Sequence, residues 1–299
     1  MKNRRVHVVL IVAALVVVGI VVSAASLTSR GQASRGQAQR SKTERTVKMT
    51  DRSRPAEKNS SPAFNAAASQ NVALRNEVNW IFGGKQQRGW HLYDLLIGKT
   101  VNTEHDPLSN DFAASLSKWQ KKSGLASSGV LDQNTLMAMI SQWQRNRLKV
   151  RTPATADQLI LAPATDFYDP SRAPELRQVE RKTYEAYKEM VAAAHADPTL
   201  NLSSKDNYFK IISSFRSPEY QAELRRKSPN AGSAGLAVNS PHFTGRALDI
   251  YVGGSPVDTK DANRAIQVNT PAYRWLVRNA ERFGFRPYFY EPWHWEYVK

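Results

Sequence analysis

The chain has 299 residues, room for two modest domains plus extensions. It contains no cysteine, which excludes disulfides, thiolate metal ligands and cysteine nucleophiles. The formal net charge is +16, but residues 1–60 hold twelve basic and three acidic residues. More than half of the surplus therefore precedes any folded domain, and a nucleic-acid partner loses most of its support. The remaining basic bias suits an anionic polymer such as a wall glycan or a membrane surface, or a solvated face with no partner.

Lys2, Arg4 and Arg5 precede Val6 to Leu27, a stretch without Asp, Glu, Lys or Arg. About 20 such residues cross a bilayer core, so residues 1–28 are expected to form an uncleaved membrane anchor. A cleavable signal peptide is the rival reading, with a small-residue site at Val22-Ser23-Ala24. The basic flank puts the N-terminus in the cytoplasm and all that follows outside it. The chain is thus expected in the cell envelope, or secreted if the segment is removed. Residues 29–71 are rich in Ser, Gln, Arg, Lys and Ala and read as a disordered basic linker.

Apolar weight resumes at Val72 to Phe82. Phe112, Leu116 and Trp119 then fall on one face of a helix, which Gly124-Leu125 stops. After a turn at Ser127-Ser128-Gly129, Asp132 is a good N-cap for a helix carrying Leu136, Met139, Ile140 and Trp143. Trp119 and Trp143 read as core rather than as glycan-stacking platforms. The run Trp119-Gln120 with Gly124-Leu125, followed by Gly129, Asp132 and Thr135, resembles the short three-helix peptidoglycan-binding domain. That resemblance implies a wall-binding module over residues 72–150; a three-helix spacer is the alternative, since the same residues also cap and pack.

A linker with Pro153 and Pro163 leads to a second domain, residues 160–299. Glu175 to Ala194 predicts one long helix, Tyr208 to Ile212 and Ala247 to Val252 predict strands, and Thr270 to Phe283 a helix closed by Gly284. The aromatic-dense end, Phe285 to Val298, predicts strands around His294. Helices leading into short strands predict an α+β domain with a small antiparallel sheet and flanking helices, preceded by the three-helix domain and the transmembrane helix. The small polar stretch Ser228 to Asn239 reads as a flap over a cleft or an inert loop.

The chemistry concentrates in His242, Asp249 and His294. Two imidazoles and a carboxylate suit Zn²⁺ with a fourth position open for water, an arrangement for hydrolysis rather than for structural stapling. Glu291, three residues before the second His, can act on that water as general base and then acid. Glu296 reads as a solvated strand acid, with support of a ligand His as the alternative.

The pattern Ser240-x-His242-x-x-Gly245-x-Ala247-x-Asp249 with Glu291-x-x-His294 resembles the VanY-type D-alanyl-D-alanine carboxypeptidases. These belong to the LAS group of zinc peptidases, with D-Ala-D-Ala dipeptidases and some endolysins. The segment Ser213-Ser-Phe-Arg216-Ser-x-x-Tyr220-Gln221 matches their arginine segment. The resemblance implies His242, Asp249 and His294 as zinc ligands and Glu291 as catalytic base. It also implies Arg216 as substrate and transition-state contact and Ser240 near the terminal carboxylate. Gln221 is expected to orient Arg216 or the substrate; Arg216 pairing with Glu219 at the surface is the plain alternative. The function this implies is zinc-dependent D,D-carboxypeptidase action on peptidoglycan stem peptides. Endopeptidase or L,D-carboxypeptidase action and a non-catalytic wall adaptor are the competing readings.

Overall fold

The computed structural model describes residues 64–203, 206–229 and 236–299. The expected anchor, most of the expected linker and the centre of the 228–239 loop lie outside the described residues. Among those described, no helix is long and apolar enough to cross a membrane.

Helix α1 (Asn65–Glu77) starts before Val72, where folded structure was expected to resume. Its composition hides this, because the inward side is Ala67, Ala68 and a wholly buried Asn71 rather than large apolar residues. The Asn71 amide donates to the Gly129 carbonyl at 3.0 Å and accepts from the Leu131 N–H at 2.8 Å, tying α1 to the turn before α4. Gly83-Gly84, both at positive φ, then turn a hairpin of β1 (Asn79–Phe82) and β2 (Lys85–Arg88). Helices α2 (Asp94–Val101), α3 (Asn110–Lys122) and α4 (Gln133–Arg145) follow. As expected, Asp132 caps α4 by accepting from the Thr135 N–H at 2.8 Å.

The motif residues between α3 and α4 bond to one another. Gln120 Oε1 accepts from the Gly129 N–H at 2.8 Å, while its Nε2 donates to the Val130 carbonyl at 2.9 Å and to Thr135 Oγ1 at 3.0 Å. This network explains structurally why Gln, Gly and Thr stand at this spacing. Trp119 and Trp143 are partly buried against the core, as expected.

The second half begins with β3 (Leu159–Leu161), paired antiparallel with β4 (Gln178–Glu180). The expected helix from Glu175 is therefore shorter: a 3-10 turn and β4 occupy its first part, and α5 runs Arg181–His195. Val179 looked like part of the helical stripe but is buried opposite Ile160, and Glu180 caps α5 through the Thr183 N–H. The main sheet has four strands: β5 (Ile211–Ser213), β6 (Ala247–Ile250), β7 (Phe285–Pro287) and β8 (His294–Tyr297). Their order is β5-β6-β8-β7, all antiparallel, which is the α+β arrangement expected. Helix α6 (Pro218–Lys227) follows β5; α7 (Asp261–Val268) and α8 (Pro271–Asn279) lie between β6 and β7. Thr270 caps α8, and Gly284 closes the following 3-10 turn in the left-handed region.

Helical and sheet parts share one compact unit. Trp80, Phe82, Tyr93 and Trp143 meet Phe289, and Phe82 also packs on Tyr288 and Tyr290. Buried Arg264 of α7 ties the two parts by donating to Tyr93 Oη and to the Tyr290 carbonyl, each at 3.2 Å. The loop carrying Glu291 is therefore buttressed by residues more than 140 positions earlier.

Candidate metal centre and active site

The register of the central strands builds the site. Side chains alternate along a strand, so Asp249 shares a face of β6 with Ala247, while Leu248 and Ile250 point into the core behind. On β8 the same rule puts His294 and Glu296 together. Pairing sets Asp249 directly opposite His294 and Ala247 opposite Glu296. Directly opposed side chains lie within contact distance. The small Ala247 leaves Glu296 room to reach along the face to His294.

His242 arrives from the side, on a 3-10 turn Pro241–Thr244 capped by Ser240. The turn ends at Gly245 with φ +66, where an added Cβ would stand 2.8 Å from Leu159 Cδ2 and 2.9 Å from the Glu180 nitrogen. Glycine is required there both for the left-handed backbone and for the close approach to β4. His242 Nδ1 donates to the Ser214 carbonyl at 2.7 Å, which leaves Nε2 facing Asp249 Oδ1 at 3.3 Å. His294 Nδ1 lies 2.9 Å from the same oxygen, and its Nε2 faces Glu296 Oε1 at 3.2 Å.

Three buried ligand atoms within 4.8 Å of one another thus fit a metal ion. With bonds of about 2.0–2.1 Å, tetrahedral ligands stand about 3.3 Å apart, close to the 3.3 and 2.9 Å between Asp249 Oδ1 and the two imidazoles. Each imidazole already donates its remote N–H to a carbonyl or carboxylate, the arrangement that orients ligand histidines. The charges on Asp249 and His242 suit a cation, whereas His294 gives up a proton to bind one. Burial pushes Asp249 up, but the His242 and Arg216 charges and hydrogen bonds from His242 and His294 outweigh it and hold the carboxyl well below the usual range. Burial, followed by the Arg216 charge, lowers His242 to about 4, so its ring is neutral. Burial also opposes charge on His294, yet hydrogen bonds to Asp249 and Glu296 push it up to about 9.

Around this triad lies a cleft of about 420 Å³ lined by Arg216, Ser240, Tyr220, Glu291, Arg172 and Arg147, among others. Glu291 sits on the turn before β8, where its carbonyl accepts from the His294 N–H at 2.9 Å. Burial pushes its carboxyl up to about 8, against the pull of His294. Arg216 follows β5 and donates to Asp249 Oδ2 at 2.5 Å and to Ser213 Oγ at 3.0 Å. It faces the triad, not Glu219. Gln221 is buried behind it, its Oε1 3.4 Å from Arg216 Nη1 and its Nε2 donating to the Ala237 carbonyl at 3.0 Å. Ser240 lines the cleft with its hydroxyl turned to the His242 N–H at 3.3 Å.

Residues 176–299 match the family model for VanY, D-alanyl-D-alanine carboxypeptidase. This part of the chain is a VanY-family domain. No curated protein gives a significant match. Among solved structures, the LdcB LD-carboxypeptidase is 24% identical, covering 48% of this chain and 70% of its own at a TM-score of 0.35. A mutant of the D,D-pentapeptidase VanY from a VanB-type resistance cassette, in complex with Zn(II), is 21% identical over 52% of this chain and 89% of its own, TM-score 0.31. VanYB in complex with D-alanine-D-alanine is 24% identical over 47% and 86%, TM-score 0.27.

Of the residues around the site, Glu296 takes the alternative rather than the favoured of its two readings, and Arg147 escaped the sequence reading. Glu296 is no solvated acid: it is 0% exposed and faces His294. Its place on the ligand's side of β8, two residues on, was the available signal. Arg147 lies far outside the VanY match, yet its guanidinium lines the cleft and binds Glu296. Nothing local in the sequence marks it.

Proposed function

We propose that the chain is a zinc-dependent D,D-carboxypeptidase that removes the terminal D-alanine from peptidoglycan stem peptides. The observation that carries this reading is the buried His242-Asp249-His294 triad opening on a cleft that also holds Glu291 and Arg216. His242 Nε2, Asp249 and His294 Nδ1 would hold the ion. Zn²⁺ held there supplies Lewis acidity to the scissile carbonyl and to the attacking water.

The chain's own residues do the rest. Glu291 takes the proton from the attacking water and delivers it to the leaving amine. Its burial keeps the carboxyl basic enough for this exchange, and positive charge among the ligands favours its ionised form. Arg216 stands beside the triad to meet negative charge developing on the carbonyl oxygen, and Gln221 holds its guanidinium in place. Of the three arginines lining the cleft, Arg147 is paired with Glu296 and Arg216 with Asp249, which leaves the Arg172 charge to favour a substrate bringing its own carboxylate. A free C-terminus is such a group, with Ser240 beside it.

Residues 72–150 would hold the enzyme to the wall and raise the local concentration of stem peptide. Residues 1–28 would anchor it in the cytoplasmic membrane with this domain outside.

Purified muropeptides incubated with the chain, with and without chelator, test the assignment by mass spectrometry. Loss of one alanine from pentapeptide stems is expected, and chelator should suppress it. Alanine lost only from tetrapeptides would replace the reading with L,D-carboxypeptidase action, and separation of crosslinked dimers with endopeptidase action. No chelator-sensitive product would favour a wall-binding adaptor.

A further inference from the structure

Arg147 stands two residues beyond α4, and its contacts lead to the metal centre. Its Nε donates to Glu296 Oε1 at 3.1 Å and its Nη2 donates to the same oxygen. The next residue adds a backbone bond, Leu148 N–H to Glu296 Oε2 at 2.9 Å. The guanidinium lies 3.9 Å over the Tyr288 ring and is held from the helix by Gln144 Oε1 at 3.2 Å. Both oxygens of Glu296 are thus fixed by donors nearly 150 positions earlier in the chain. The carboxylate they fix is the one that faces His294 Nε2.

We propose that Arg147 is a positioning residue of the metal centre, so that the helical half completes the active site as well as serving any binding role. The inference rests on the zinc-site reading above. A Glu side chain turns about three bonds, and only a carboxylate held at both oxygens presents Oε1 to the imidazole at a constant angle: Leu148 holds Oε2, and Arg147 holds the very oxygen that His294 faces. Glu296 is wholly buried, so these donors, not solvent, hold its carboxylate. A guanidinium brings two donors in a rigid fork, which a lysine ammonium does not reproduce. If Glu296 swings, the His294 ring is free to rotate and its Nδ1 leaves the line set by His242 and Asp249.

The rival explanation is that Arg147 only glues the two halves together. Lys99 provides the control, since it crosses the same interface to the Val277 carbonyl at 2.7 Å and to Glu281 at 3.1 Å, away from the metal ligands. In the full chain, zinc affinity is measured by competition with a chromophoric chelator, and site geometry by the visible spectrum of the Co²⁺ form. R147Q is expected to bind zinc about 10–100-fold more weakly with altered Co²⁺ bands, the usual cost of losing such an outer partner. R147K should recover part of the loss, while K99A should lower the melting temperature and leave metal affinity and spectrum unchanged. Should R147Q fail to fold, R147K carries the comparison and should still bind zinc more weakly than wild type. Wild-type affinity and spectrum in the folded arginine variant, or equal weakening in K99A, would overturn the proposal. Wild-type chain that binds no zinc at all would overturn the zinc-site reading itself, and this inference with it.

Discussion

Glu291→Gln is expected to lower the rate of peptide hydrolysis by about 10²–10⁴-fold, the range for loss of a general acid–base group. Zinc should remain bound at wild-type stoichiometry, because the three ligand atoms belong to other residues. Kinetics beside metal analysis of the same sample read both quantities. The loss should fall on kcat, since the amide fills the same space but cannot take a proton. Loss of metal, or full activity, would remove Glu291 from the role of base.

The same substitution has a second signature in the metal-free protein. The unfolded chain releases the Glu291 proton near the ordinary 4.5, whereas burial holds it to about 8 in the folded state. Between these values the unfolded state binds fewer protons, so raising pH favours unfolding. Chelated wild type should therefore lose stability as pH rises from about 6.5 towards 8; below 6.5 the opposite shift of His242, down to about 4, offsets the Glu291 slope. Glu291→Gln should flatten that part of the profile, as denaturant melts at stepped pH would show.

Asp249→Asn carries the other large effect. Asp249 touches both histidines and is the partner of Arg216, with its side chain 2% exposed. Removing one member of a buried ion pair leaves the other charge uncompensated and costs about 3–5 kcal/mol. A loss of that order is expected in the metal-free protein, together with loss of tight zinc binding and of activity. Urea unfolding with and without zinc separates the two effects. In wild type, zinc should raise the unfolding midpoint; in the variant it should leave it nearly unchanged. A variant as stable as wild type, or one still stabilised by zinc, would show that Asp249 is neither ligand nor counter-charge.

The His242-Asp249-His294 cluster was legible because its chemistry is carried by residue types at fixed places: a histidine before Gly245, an aspartate on a predicted strand, and a histidine after Glu291. The α3–α4 unit was legible for a similar reason, since apolar spacing and the Asp132 cap are local signals. What stayed hidden depends on distant partners. Val179 fits a helical stripe and a strand equally well until Ile160 pairs with it. Asn71 looks like linker until the turn at Gly129 bonds its amide. Glu296 has the composition of a surface strand acid, and only the fold brings Arg147 and Leu148 to it. The Gly83-Gly84 turn was a readable signal, but the flanking strands are four residues each and β2 is polar throughout.

The central claim joins the metal to the chemistry at His242, Asp249 and His294, and a zinc titration tests it most directly. Metal-free chain is mixed with a pentapeptide ending in D-alanyl-D-alanine, and released D-alanine is measured as zinc is added in fractions of an equivalent. The account predicts no release without metal, then a rate that climbs in proportion to bound zinc and levels off at one ion per chain. D-alanine release by the metal-free chain, or one tightly bound zinc with no release of any product from a stem peptide, would contradict it.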